Sequence, residues 1–178
     1  MAPRTKMLYS DASHTLRSKS DKEEKSMEFP FKEAKRIDKP WGEEIWISDG
    51  VRMPYALKRI TFKANNRSSL QVHEFKNETN FVLEGTGKFQ ISNVHFDCKA
   101  FLQSDNPEEL VRQALTNIIE VDIKAGDVID VKAGQIHRVI AITDLVFIEA
   151  STPELDDVIR LADDANRSHG KIESEHSC

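Results

Sequence analysis

The sequence predicts an all-β fold, a sandwich or closed barrel in one domain, and three observations predict it. First, from Phe29 onward the chain is a series of short β-branched or aromatic runs. They read "EEIWIS", "YALKRITF", "NFVLEGTGKFQIS", "NIIEVDIKAGDVIDVKAG" and "HRVIAITDLVFIEAS". Second, turn-forming segments ("SDG", "KANN", "EGTG", "KAGD", "KAGQ") separate them at the spacing of a many-stranded β domain. Third, 178 residues with 39% hydrophobic and 31% charged side chains suit a single globule with some surplus polar chain.

Two stretches depart from the strand pattern. Residues 93–117 interrupt it, and Asn106-Pro107-Glu108-Glu109 reads there as a helix start, with proline at the first turn and acidic residues beside it. This stretch is expected to be a helical insertion between two strands. In "PELDDVIRLADDANR", Leu155, Val158, Ile159 and Ala162 follow helical spacing, which predicts a short C-terminal helix. Residues 1–28 are rich in Ser, Lys and acidic side chains with little to bury, and they read as a flexible tail. The folded domain is expected over 29–168, with a second tail at 169–178.

Charge and composition exclude several classes. A net charge of -5 is unlike a dedicated nucleic-acid binder. No apolar run approaches the roughly 20 residues of a membrane helix, and the N-terminal stretch lacks the apolar centre of a secretory signal. The two cysteines, Cys98 and Cys178, form neither a disulfide framework nor a metal-binding pair, in keeping with a reducing, cytoplasmic setting. The Arg, Lys and Ser of the tail leave organelle targeting open, although Asp21, Glu23 and Glu24 count against it.

The chemistry concentrates in two places. In "NNRSSLQVHEFKNETNFVLEGTGKF", Gln71 and His73 are two residues apart, so both project to one side of an extended strand, and Glu78 follows. Polar groups facing a closed interior are costly unless something binds them. In "KAGDVIDVKAGQIHRV", Gly126 and Gly134 allow sharp turns at either end of a strand, and His137 follows. Gln71, His73, Glu78 and His137 together suit one divalent cation, and Zn²⁺, Mn²⁺ and Fe²⁺ all accept such ligands.

These residues resemble the cupin motifs. Asn65 stands at the first glycine position, followed by Gln71, His73, Glu78 and Gly85; the second motif runs Gly126, Lys132 in place of proline, Gly134 and His137. Asparagine tolerates the left-handed backbone such a turn requires. Glutamine in place of the first histidine, "KPWGEEIW" at 39–46, His137-Arg138 and "LDDVIRLADDANR" at 155–167 narrow the resemblance to the type II mannose-6-phosphate isomerase domain, over residues 36–167 apart from the insertion. The resemblance implies a jelly-roll barrel and a metal-dependent isomerase acting on a phosphorylated sugar. Lys76, Arg67 and Arg138 each flank a proposed ligand and would contact substrate, Lys76 and Arg138 stabilising developing charge or gripping phosphate, while the resemblance implies Glu44 as base.

The chain also departs from that family. Lys76-Asn77-Glu78-Thr79-Asn80 replaces Arg-x-Glu-His-Trp, losing the bidentate guanidinium and two larger side chains, and Ala141 stands where asparagine is expected. A non-catalytic metal- or sugar-binding cupin, a lyase and a dioxygenase are therefore competing expectations. Arg160 and Arg167 read as partners of Asp156, Asp157, Asp163 or Asp164, and Trp41 and Trp46 as packing residues. A homodimer is expected, because exposed sheet edges are commonly covered by another subunit.

Overall fold

The computed structural model describes residues 32–165, 167 and 170–172; the expected tail over 1–28 lies outside them. In chain order the elements are β1 (Lys35–Lys39), β2 (Gly42–Asp49), β3 (Ala56–Phe62), β4 (Leu70–Val72), β5 (Glu78–Glu84) and β6 (Thr86–Ser92). Then follow α1 (Cys98–Gln103), α2 (Pro107–Leu115), β7 (Ile118–Lys124), β8 (Val128–Val131), β9 (His137–Ala141), β10 (Leu145–Ser151), β11 (Ile159–Ala162) and β12 (Gly170–Lys171). Both helices fall in the insertion expected at 93–117. Among the described residues no helix is long and apolar enough to cross a membrane.

The strands form two six-stranded antiparallel sheets, ordered β1-β2-β3-β10-β5-β8 and β12-β11-β4-β9-β6-β7. This is the double sheet of a single-domain cupin. Phe62, Val82, Leu145 and Phe147 of the first sheet meet Phe89, Val139 and Ala141 of the second in one buried cluster. A second cluster joins Phe96 and Phe101 of the insertion to Leu70, Ile136, Ile159 and Leu161. The insertion therefore packs onto the sheet that carries β4 and β11.

Left-handed backbone occurs where the motif requires it. Asn65 has φ 63°, and Gly85 has φ 87°. A Cβ on Gly85 would lie 2.0 Å from the Asp144 carbonyl oxygen, so close approach as well as φ selects glycine there.

The expected C-terminal helix does not form. Residues 159–162 are strand β11, paired antiparallel with β4 (Ile159 opposite Val72, Arg160 opposite Gln71). Val158, Ile159, Arg160 and Leu161 are buried in succession, which suits a strand covered on both faces rather than a one-sided helix. The unpaired edge of β4 outweighs the helical spacing. Sheet pairing also continues past the expected boundary at 168, since Gly170 lies opposite Arg160.

Candidate metal centre

Along the inward faces of the first sheet, residue type changes from one end of the barrel to the other. On β3 the buried positions run Lys58, Ile60, Phe62; on β10 they run Leu145, Phe147, Glu149; on β5, Glu78, Asn80, Val82. The register aligns the polar members, with Glu149 opposite both Lys58 and Asn80. One end of the barrel is an apolar plug and the other a charged cavity. That cavity, about 70 Å³, is lined among others by Gln71, His73, Lys76, Glu78, His137 and Glu149.

The expected ligands converge there. Gln71 and His137 are a directly opposed cross-strand pair on β4 and β9, and their Nε2 atoms are 3.3 Å apart. His73 Nε2 lies 3.6 Å from Glu78 Oε2, and His137 Nε2 lies 3.6 Å from Glu78 Oε1. The ligand atoms of His73, Glu78 and His137 all fall within 4.8 Å of one another. Gln71 stands beside them, its Oε1 accepting from the Ser69 hydroxyl at 3.0 Å. A half-turn of its amide would bring that oxygen to the centre.

Tautomers follow from the outer hydrogen bonds. His137 Nδ1 lies 3.0 Å from the Gln135 carbonyl oxygen and His73 Nδ1 contacts that of Asp157. A carbonyl only accepts, so both Nδ1 atoms donate and both Nε2 atoms keep a lone pair directed inward. His73 Nε2 is buried with no hydrogen-bond partner among the described residues. Burial, with Lys76 nearby, pushes His73 down to about 3, keeping it a neutral ligand. A buried lone pair without a donor, facing a carboxylate and a second imidazole, fits a divalent cation.

Asp157 ties this arrangement to the C-terminal segment. Its carboxylate accepts from the main-chain N–H groups of Glu74, Phe75 and Lys76 at 3.1, 2.5 and 2.8 Å, while its carbonyl orients His73. Phe89 lies parallel to the His137 ring at 6.2 Å between centroids.

Lys76, expected to meet substrate, is inside the cavity but already engaged. Its ammonium donates to Glu78 Oε2 at 2.6 Å and to Glu149 Oε1 at 2.8 Å. Burial opposes its charge, yet Glu149 and Glu78 hold its pKa above the ordinary lysine value. Burial likewise opposes ionisation of Glu78, and Lys76 followed by the two histidines holds its carboxyl below the usual carboxylate range. Glu44 also lines the cavity, accepting from Trp46 Nε1 at 2.8 Å. Trp41 packs as expected, stacked on Phe62 at 4.2 Å.

Two expected contacts are elsewhere. Arg138 follows inward-facing His137 on β9, so strand alternation turns it away from the cavity; it pairs with Asp164 at 3.0 Å. Arg67 is 3.8 Å from the same carboxylate. Neither lines the cavity, whereas Arg167, paired with Asp163 at 2.6 Å, does. Of the two residues at the family's aromatic positions, Asn80 faces inward and donates to Glu78 Oε1 at 3.1 Å. Thr79 faces outward to Asp130. Lys58 and Glu149 were missed in sequence reading; the available signal was a charge in the inward phase of an otherwise apolar strand.

Fold and site define a cupin barrel with a buried centre of two histidines and a carboxylate. More narrowly, residues 27–163 match the family described as mannose-6-phosphate isomerase C-terminal, and the chain belongs to that family. No curated protein matches the sequence. Similar solved structures include the Lactobacillus farciminis oxalate decarboxylase formate complex (TM-score 0.53, 16% identity, covering 72% of this chain and 33% of that one). The capsular polysaccharide assembling protein CapF of Staphylococcus aureus is another (TM-score 0.52, 18% identity, 73% and 34%). A third is Bacillus subtilis oxalate decarboxylase, described with Mn(II) centres (TM-score 0.51, 17% identity, 71% and 29%). The chain spans about a third of the length of these proteins, and at such identities the likeness establishes the fold alone.

Proposed function

We propose that the protein is a metal-dependent sugar-phosphate isomerase interconverting mannose 6-phosphate and fructose 6-phosphate. The observation that carries this reading is the buried His73 Nε2, without a hydrogen-bond partner among the described residues, facing Glu78 and His137 in a charged cavity. Membership of the family described as mannose-6-phosphate isomerase C-terminal supports the choice of reaction.

In this reading His73, Glu78 and His137, joined by Gln71, hold one divalent ion, and Zn²⁺, Mn²⁺ and Fe²⁺ all accept such ligands. When bound, the ion supplies Lewis-acid polarisation of the sugar oxygens. Lys76 keeps Glu78 ionised as a ligand and holds Glu149 in place. Glu44, in the cavity wall beside Trp46, takes a proton from one of the carbons C1 and C2 and returns it to the other. Two copies associate through exposed sheet edges, where β7 presents Ile119 and Val121, and light scattering would check this.

A coupled assay with both sugar phosphates tests the reading. Turnover should stop with chelator and return with metal. A metal-loaded protein that turns over neither substrate would refute it. A non-catalytic metal- and sugar-binding cupin is the second reading, favoured by the placement of Arg67 and Arg138 outside the cavity; saturable binding without turnover would support it.

A further inference from the structure

Among the charged groups lining the cavity, Lys58 is alone in having no hydrogen bond among the described residues. It is 5% exposed. Its ammonium lies 3.6 Å from Glu44 Oε2 and 3.8 Å from Glu149 Oε1, both beyond hydrogen-bond range. It also sits 4.7 Å from the centroid of the Trp46 ring. Lys76, by contrast, spends two donors on carboxylates at 2.6 and 2.8 Å. A buried ammonium held by charge alone, with donors unspent, is poised for an additional acceptor.

The charge balance indicates what that acceptor is. Lys58, Lys76 and Arg167 line the cavity against Glu44, Glu78 and Glu149, and the buried side chains of Lys39 beside Glu44 and Asp163 beside Arg167 add one charge of each sign, so the charges balance. A divalent cation at His73, Glu78 and His137 would add two positive charges to a buried space, an excess that favours an anionic ligand.

We propose that Lys58 is the anion-binding residue of this cavity, donating to an anionic oxygen of the ligand, on a phosphate ester or a carboxylate. This rests on the reading above only in placing the ligand in the metal-bearing cavity. It moves the anion contact from Lys76, Arg67 and Arg138 to a residue on β3. An ammonium acts on phosphate as a point charge and needs no bidentate geometry, so loss of the family's arginine at position 76 is compatible with it.

The test uses full-length Lys58→Met and wild type, loaded with Zn²⁺, titrated with inorganic phosphate and separately with acetate. The variant is expected to fold, because Glu149 keeps Lys76 and Glu44 keeps Lys39 at 3.8 Å. Metal content should be unchanged, while affinity for the bound anion should fall about tenfold or more, the loss given by one charge-assisted hydrogen bond. A second measurement needs no variant: in the nitrogen NMR spectrum of wild type, Lys58 Nζ should shift on anion addition and Lys76 Nζ should not. The acetate arm tells a carboxylate ligand from a phosphate ester. Anion affinity within twofold of wild type, an unmoved Lys58 Nζ, or wild type binding neither anion would overturn the proposal. Wild type that holds no metal, yet binds phosphate in a Lys58-dependent way, would remove the metal reading and leave the proposal standing.

Discussion

Asp157 is where the C-terminal segment holds the candidate centre, and Asp157→Ala removes that hold. Its carboxylate accepts three main-chain N–H groups. That of Phe75 is exposed and will be rehydrated. Those of Glu74 and Lys76 are partly buried, and each loses a charged acceptor worth about 1.5–3 kcal/mol. Allowing for water that replaces part of this, the expected destabilisation is about 3 kcal/mol. The segment that then loosens is the one whose carbonyl fixes the His73 tautomer, so metal affinity should fall about tenfold or more, as is typical when a ligand's orienting partner is lost. Asp157→Asn keeps an acceptor oxygen without the charge and should show roughly half the stability loss. Urea unfolding followed by tryptophan fluorescence gives the first quantity, and chelator competition the second. A loss below about 1 kcal/mol with metal affinity within twofold of wild type would refute this assignment.

Acid should destabilise the metal-free protein through His73. Its folded pKa of about 3 lies below the ordinary 6.5, so the unfolded chain binds the extra proton between those values. The contribution is fully present above pH 6.5 and is lost as pH falls towards 3, amounting to about 2 kcal/mol by pH 5. Urea midpoints with chelator at pH 7.5 and 5 test it, and an unchanged midpoint would contradict it. Lys76→Met leaves Glu78 facing the cavity without its cation, and breaking a buried pair costs about 3–5 kcal/mol. The loss should shrink when metal is supplied, because a cation then neutralises Glu78; an equal loss with and without metal would count against that placement.

The ligand set was legible in the sequence because each half of it is local. Gln71 and His73 share a strand face by two-residue spacing, and Gly134 fixes the turn into His137. Three-dimensional register then places Gln71 opposite His137. The charged ladder of Lys58 and Glu149 was not legible, since their opposition depends on the pairing of β3 with β10, more than eighty residues apart in sequence. Arg138 is expected to contact substrate because it flanks His137, but strand alternation places it on the other face. The segment at 155–167 satisfies helical spacing, and only the unpaired edge of β4 makes a strand of its residues 159–162. In each of these cases the deciding interaction is long-range.

The central claim is that His73, Glu78 and His137 grip one cation inside the barrel. Elemental analysis of protein dialysed against a divalent metal, wild type beside His137→Ala, tests it most directly. The account predicts about one ion per wild-type chain and essentially none in a folded variant. Equal metal content in the two proteins, or none in wild type, would contradict it.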